Sequence, residues 1–224
     1  MTVLEQIVNG RTDLVFDYVA QGDSATASDQ KGTKLIQWCA YYGDVSAMKF
    51  LLASGESLEP LGPNLGLSNA CFHGHWRLVQ FLLERGADAK HRSPMNDETP
   101  LHSALSKSSY AHELVVRVLL AHGADPNVAT KPGAETAAFM RDCRTKGETP
   151  LHRAAAFSGE EAIQVLIDAG AKLDAKDMNG DTPLSWASWY ARPTQVLRKL
   201  LYGHHRIHAD HKTMAENLLG KPML

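Results

Sequence analysis

The stretch TPLHRAA, residues 149–155, decides the fold. Threonine before proline opens a helix. The Thr149 hydroxyl can accept from a free backbone N–H, and Pro150 gives up a donor that has no partner in the first turn anyway. The small residues Ala154 and Ala155 let a neighbouring helix approach closely. Related stretches recur as TPLHSA from Thr99 and TPLSWA from Thr182. Each stands 21 to 24 residues before a glycine that ends an apolar run: Thr99 before Gly123, Thr149 before Gly170, Thr182 before Gly203.

That glycine is itself periodic. Runs such as MKFLLASG, VQFLLERGAD, VVRVLLAHGAD and AIQVLIDAGAK close on Gly22, Gly55, Gly86, Gly123, Gly170 and Gly203, at intervals of 33, 31, 37, 47 and 33. The V-x-x-L-L stripe in these runs has a period of 3.6, and glycine after it can take the left-handed turn that stops a helix. Each unit therefore holds two short helices. Neither can bury its apolar face alone, so the units must stack.

These residues resemble the ankyrin repeat pattern, G-x-T-P-L-H-x-A-A-x-x-G-H, an apolar second helix, then G-A-D-x-N. DETPLHSA, HGADPN, GETPLHRAA, ERGAD and NGDTPLSWA carry the match. The resemblance covers essentially the whole chain and implies an all-α solenoid of helix-turn-helix units with short β-hairpin-like finger loops. It divides one domain, residues 1–224, into N-terminal capping helices (1–30), five full repeats (31–203) and a partial closing repeat (204–224) that includes KTMAENLLG. The first two full units depart from the pattern. They read TKLIQWCA and LGLSNACF, without the cap, the proline and the histidine, and the N-terminal half is expected to be the less stable. In the family the histidine, here His102 and His152, is a buried hydrogen-bonding residue, and neither is expected to act as a ligand or catalyst.

Aligning the units on their glycines brings pairs of residues to the end of each first helix: Tyr41–Tyr42, Phe72–His73, Ser106–Lys107, Ala156–Phe157 and Trp189–Tyr190. Six of these ten are aromatic in a chain that is 7% aromatic, where fewer than one would be expected. The resemblance implies that this pair faces the concave side of the stack, where partners usually bind. Trp38 and Trp186 lie one turn earlier and are expected to extend the same face. The competing reading makes the rings fillers of gaps between small helices. It accounts poorly for large rings recurring at one place while the neighbouring alanines stay small.

The interval of 47 residues puts about fourteen extra residues, 47 against 33, into the finger TKPGAETAAFMRDCRTKG, residues 130–147. AETAAFMRDC within it is a candidate short helix presenting Phe139 and Met140. The smaller insertion near Tyr110 is read as a lengthened helical turn. HHRIHADH gathers His204, His205, His208, His211 and Asp210, but no second ligand pair accompanies it, and no metal site is assigned. Cys143 stands near Arg141 and Arg144 and is read as an ordinary surface thiol. Cys39 and Cys71 are read as small buried apolar groups.

The remaining bulk properties exclude several classes. A formal net charge of −2, with no basic run, argues against a DNA partner held through phosphates. No apolar window suits a membrane span, the N-terminus lacks a signal-peptide layout, and three cysteines form no paired framework, so a cytoplasmic location is expected. GxSxG, HExxH and phosphate-cradling loops are absent, and neither catalysis nor a cofactor is expected. The expectation is a monomeric, non-enzymatic module that binds another protein through Trp38, Tyr41, Tyr42, Phe72, His73, Lys107, Phe139, Met140, Phe157, Trp189 and Tyr190. The alternative is a small-ligand, nucleotide or RNA receptor in which the rings stack on planar groups and Lys107 or Arg153 supplies charge.

Overall fold

In the computed structural model, which describes residues 2–136 and 144–202, short helices alternate with turns. Two helices open the chain, α1 (Val3–Val8) and α2 (Val15–Ala20). Five antiparallel pairs follow: α3 (Leu35–Tyr42) with α4 (Val45–Ala53), α5 (Leu67–His73) with α6 (Trp76–Glu84), α7 (Pro100–Ala104) with α8 (Tyr110–Ala121), α9 (Pro150–Phe157) with α10 (Glu160–Asp168), and α11 (Pro183–Trp189) with α12 (Thr194–Tyr202). Among the described residues the only strand-like pairings are two isolated antiparallel bridges, Ser28 with Lys34 and Glu135 with Arg144, at the bases of finger loops. This is the all-α repeat stack that the period requires.

Two of the three threonine caps work as the sequence implies, while at α9 the Thr149 hydroxyl instead meets the His152 Nδ1 at 2.9 Å. Thr99 caps α7, with its hydroxyl accepting from the His102 N–H, and Thr182 caps α11 through the Ser185 N–H. Each first helix ends against the next unit, and apolar residues of both helices meet in one core. Leu35, Ile36, Met48, Leu51, Leu101, Leu119, Leu151 and Leu166 are all fully buried in it. At roughly 1.5–3 kcal/mol per buried side chain of this size, the stack and not helix propensity holds these short helices. Cys39 and Cys71 belong to that core; burial pushes the Cys39 thiol up to about 12 and raises Cys71 as well.

The first two units replace the missing T-P-L-H groups differently. At α3, Gln37 accepts from the Lys34 N–H and donates to the Pro60 carbonyl. At α5 no side chain caps the helix, and two 3₁₀ turns (Glu59–Leu61 and Pro63–Gly66) precede it, with Asn64 and Leu65 at φ of 50° and 51°. The insertion near Tyr110 does two things. It lengthens the loop after α7, which stops at Ala104, and it starts α8 on a Ser109 cap, so Lys107 lies in that loop and not at a helix end.

The base of the long finger is a narrow hairpin. Gly133 N donates to the Thr145 carbonyl (2.7 Å), Thr145 N to Ala134 (2.8 Å), and Lys131 N reaches the neighbouring finger at Asn96 (2.8 Å). Residues 134–136, expected to begin a short helix, are instead extended there because their backbone groups are taken by the hairpin and by Asn96. Phe139, Met140 and Cys143, the histidines of 204–211 and the expected closing helix at 212–220 lie outside the described residues.

Candidate protein-binding face

The ends of the first helices are built by contacts from the next unit. After Tyr42 the chain turns at Gly43, whose φ is 75°. A Cβ there would also lie 2.6 Å from the His75 ring. Histidine 75 approaches that closely because its Nε2 donates to the Tyr41 carbonyl at 3.0 Å. His112 repeats the arrangement one unit later, donating to the Phe72 carbonyl at 3.1 Å beside Gly74. Arg192 does so at α9, reaching the carbonyls of Ala156 (3.1 Å) and Ser158. The last carbonyls of α3, α5 and α9 are thus satisfied from behind, and the terminal side chains are left facing outward.

Two aromatic clusters result. Trp38, Tyr41 and Tyr42 pack on one another with centroids 5.1–6.3 Å apart, Tyr41 meets His73 at 5.2 Å, and His73 meets Phe72 at 5.3 Å. The Lys107 ammonium stands 4.1 Å above the Phe72 ring. At the other end Phe157 meets Tyr190 at 4.9 Å, and Tyr190 lies 6.4 Å from Trp186. Between the clusters the end of α7 and its loop, residues 103–109, carry no ring, so the row is interrupted.

Exposure separates the roles. Trp189, Tyr41 and Tyr190 are 80%, 53% and 52% exposed, whereas Phe72 and Phe157 are half-buried. Tyr42 is partly structural, since its hydroxyl donates to the Val8 carbonyl at 2.9 Å and ties α1 to the stack. The two tryptophans do not simply extend the outer face. Trp186 is buried, and its indole N–H donates to Asp177 at 3.1 Å, while Trp38 donates to Asp29 at 3.2 Å. Both aspartates also accept backbone N–H groups of their finger turns, so each tryptophan pins a finger to its own helix.

Arg153 occupies on α9 the place that Trp186 holds on α11, four residues after the capping threonine. It is completely buried. Its guanidinium donates to Glu148 (2.7 Å), to Glu98 and to the His102 carbonyl (3.3 Å). Those carboxylates also accept from Thr130, Thr136 and the Lys146 N–H, which joins the long finger to its neighbours. An arginine enclosed this way cannot supply charge to a ligand, and that expectation is corrected. Sequence reading missed the triad, although an arginine among alanines after Glu-Thr-Pro-Leu-His was its signal.

His102 and His152 have the structural duty expected of them. In each, Nδ1 accepts the threonine N–H at 3.1 Å and Nε2 donates to a carbonyl of the next finger, Glu148 at 3.3 Å and Asp181 at 3.0 Å. That pattern fits the neutral ring. Burial, with Arg153 nearby, holds His102 well below the ordinary histidine range, and burial lowers His152 too. His73 is lowered by partial burial and by the electrostatic influence of its neighbours His75, Lys107 and His112.

The sequence reading also missed a cavity of about 290 Å³ between α3 and α5, with Tyr41 and His73 at its rim and Leu78 and Leu82 of α6 among its lining. Among the described residues, no group of three or more His, Cys, Asp or Glu side chains is placed to hold a metal, and no helix is long and apolar enough to cross a membrane.

Known proteins repeat this architecture. Human Rabankyrin-5 is 35% identical over 115 residues, half of this chain and 9% of its own length. The ankyrin repeat and KH domain-containing protein mask of Drosophila melanogaster is 31% identical over 121 residues, 54% of this chain and 3% of that protein. Human palmitoyltransferase ZDHHC13 is 24% identical over 235 residues, 88% of this chain and 34% of that protein. The chain therefore spans a small part of the curated relatives it matches. The family profile described as "Ankyrin repeats (3 copies)" matches residues 36–130 and 132–213. With helix pairs, capping threonines and inter-unit histidines all in that register, the chain belongs to the ankyrin repeat family.

Proposed function

We propose that the chain is a non-enzymatic protein-interaction module that recruits or blocks a partner protein through the concave face of the stack, with the ends of α3, α5, α9 and α11 as its contact points. Ankyrin repeats generally mediate protein–protein interaction. One observation carries the reading to this face: Tyr41 and Trp189 sit at corresponding places in two units, with Tyr190 beside Trp189, and all three are more than half exposed. Rings of this kind dominate interface energetics, at about 2 kcal/mol or more each when truncated. Phe72, His73 and Lys107 extend the first cluster, Phe157 the second, and Phe139 and Met140 belong to the proposal through the long finger. The nucleotide reading loses one of its two cations with the burial of Arg153.

The test replaces Tyr41, Trp189 and Tyr190 together by alanine. Affinity purification with quantitative mass spectrometry is expected to lose the protein that wild type retains, with helical content and melting unchanged. Full retention by a folded triple variant would overturn the reading. Tyr42 is left intact because its hydroxyl supports the fold.

A further inference from the structure

At the α7–α9 and α9–α11 seams between first helices the gap is plugged. Trp186 and His152 meet at 5.4 Å between α9 and α11, and Arg153 and His102 fill the space between α7 and α9. At the α3–α5 seam the corresponding places, three residues after the cap of α3 and four after that of α5, hold Gln37 and Ala70. The Gln37 amide is taken by the Lys34 N–H and the Pro60 carbonyl, Ala70 is too small to close the seam, and the cavity of about 290 Å³ lies there. It is at the lower bound of small-molecule sites, roughly 300 Å³, a size that suits one side chain better than a cofactor.

Its lining combines apolar side chains, Leu61, Leu65, Leu78 and Leu82, with the amides of Gln37 and Asn69, and no aspartate or glutamate lines it. The rim leads from His73 to Phe72 and so to Lys107, which is exposed and forms no ion pair with a carboxylate among the described residues. A leucine-walled hollow with an unpaired ammonium on the neighbouring Phe72 ring is complementary to an apolar side chain followed by a carboxylate.

We propose that the α3–α5 seam is the anchor site of the partner: an acidic segment of a partner protein inserts one leucine- or phenylalanine-sized side chain between Tyr41 and His73 and sets a carboxylate against Lys107. This rests on the protein-binding reading above and specifies where and what that face grips.

The probe is a random peptide library displayed on phage and selected on the full chain. Enriched peptides are expected to share a large apolar residue adjoining Asp or Glu. Synthetic copies should bind about tenfold or more weakly to Ala70→Trp, which plugs the seam. The exposed Lys107→Glu substitution leaves the core untouched and should turn selection toward Lys or Arg beside the same apolar residue. Melting and circular dichroism verify that both variants are folded, and Lys107→Glu decides the matter if Ala70→Trp is not. Peptides that bind both variants as they bind wild type, but lose affinity in the Tyr41, Trp189 and Tyr190 triple variant, would overturn the seam proposal and leave the wider face standing. No enrichment, selection of basic peptides by wild type, or preference for a labelled polyuridine strand would also overturn it.

Discussion

Two seams of the same stack, α3–α5 and α7–α9, meet the same packing problem with opposite contents. One is left open, with Ala70 where the other has an arginine and a cavity reaching α6. The other is closed by a buried arginine held by two glutamates. The repeat backbone fixes where a gap arises, and the third and fourth residues after the helix cap decide whether it becomes rigid interior or accessible surface. A buried ion group is costly to assemble, but its carboxylates here also accept from Thr130, Thr136 and a backbone N–H, so that little of their hydrogen-bonding capacity is wasted.

The largest expected effect breaks the closed seam. Arg153→Ala leaves two buried carboxylates without their cation and should destabilise by about 3–5 kcal/mol, read as a fall in urea midpoint. Adding Glu98→Gln and Glu148→Gln should restore much of that loss; no recovery would show that the arginine acts by volume alone.

Acidification should strike the same half of the molecule next. His102 and His152 have folded-state values below the ordinary 6.5. Between the folded and unfolded values only the unfolded chain takes up the proton, so their contribution is complete above pH 6.5 and is lost as pH falls below it. Melting temperature measured from pH 8 to pH 5 should decline, and less steeply in His102→Gln, if that variant folds.

The cap at the open seam can be broken more gently. Gly43→Ala combines a left-handed φ with a collision against the His75 ring and should cost about 2 kcal/mol or more. Gly22→Ala, with a positive φ but open space, should cost less in the same thermal melt. Tyr42→Phe removes a single hydrogen bond to Val8 and should cost about 0.5–1.5 kcal/mol, seen as faster amide exchange in α1.

The smallest effect sharpens the contrast from the other side. Ala70→Leu adds volume where space already exists and should stabilise by up to about 1 kcal/mol. A clear destabilisation would mean that the α3–α5 seam is as tightly filled as its counterpart.

The stacked helix pairs, their capping threonines and the buried histidines were legible from residues 99–104 and 149–155, because caps and apolar period are local properties. The aromatic places at the helix ends were legible too, and four of them, Tyr41, Tyr42, Trp189 and Tyr190, are exposed. Trp186 was misread as outward-facing, and the bond by which Trp38, beside Tyr41 and Tyr42, also holds a finger was not foreseen, because spacing gives the face of a helix and not what stands opposite. Their partners, Asp29 and Asp177, lie in the finger nine residues back. The start of the long finger was misread for a related reason: its composition favours a helix, but Asn96 of another finger and Thr145 claim its backbone.

By itself the sequence determined the repeat, since each unit needs only its own caps, its 3.6-residue stripe and an identical neighbour to stack on. Only the tertiary structure decided which seam is sealed and which is open. The groups that settle it, Arg153 with Glu98 and Ala70 with Tyr41, come from different units, and their meeting depends on packing that no local pattern encodes.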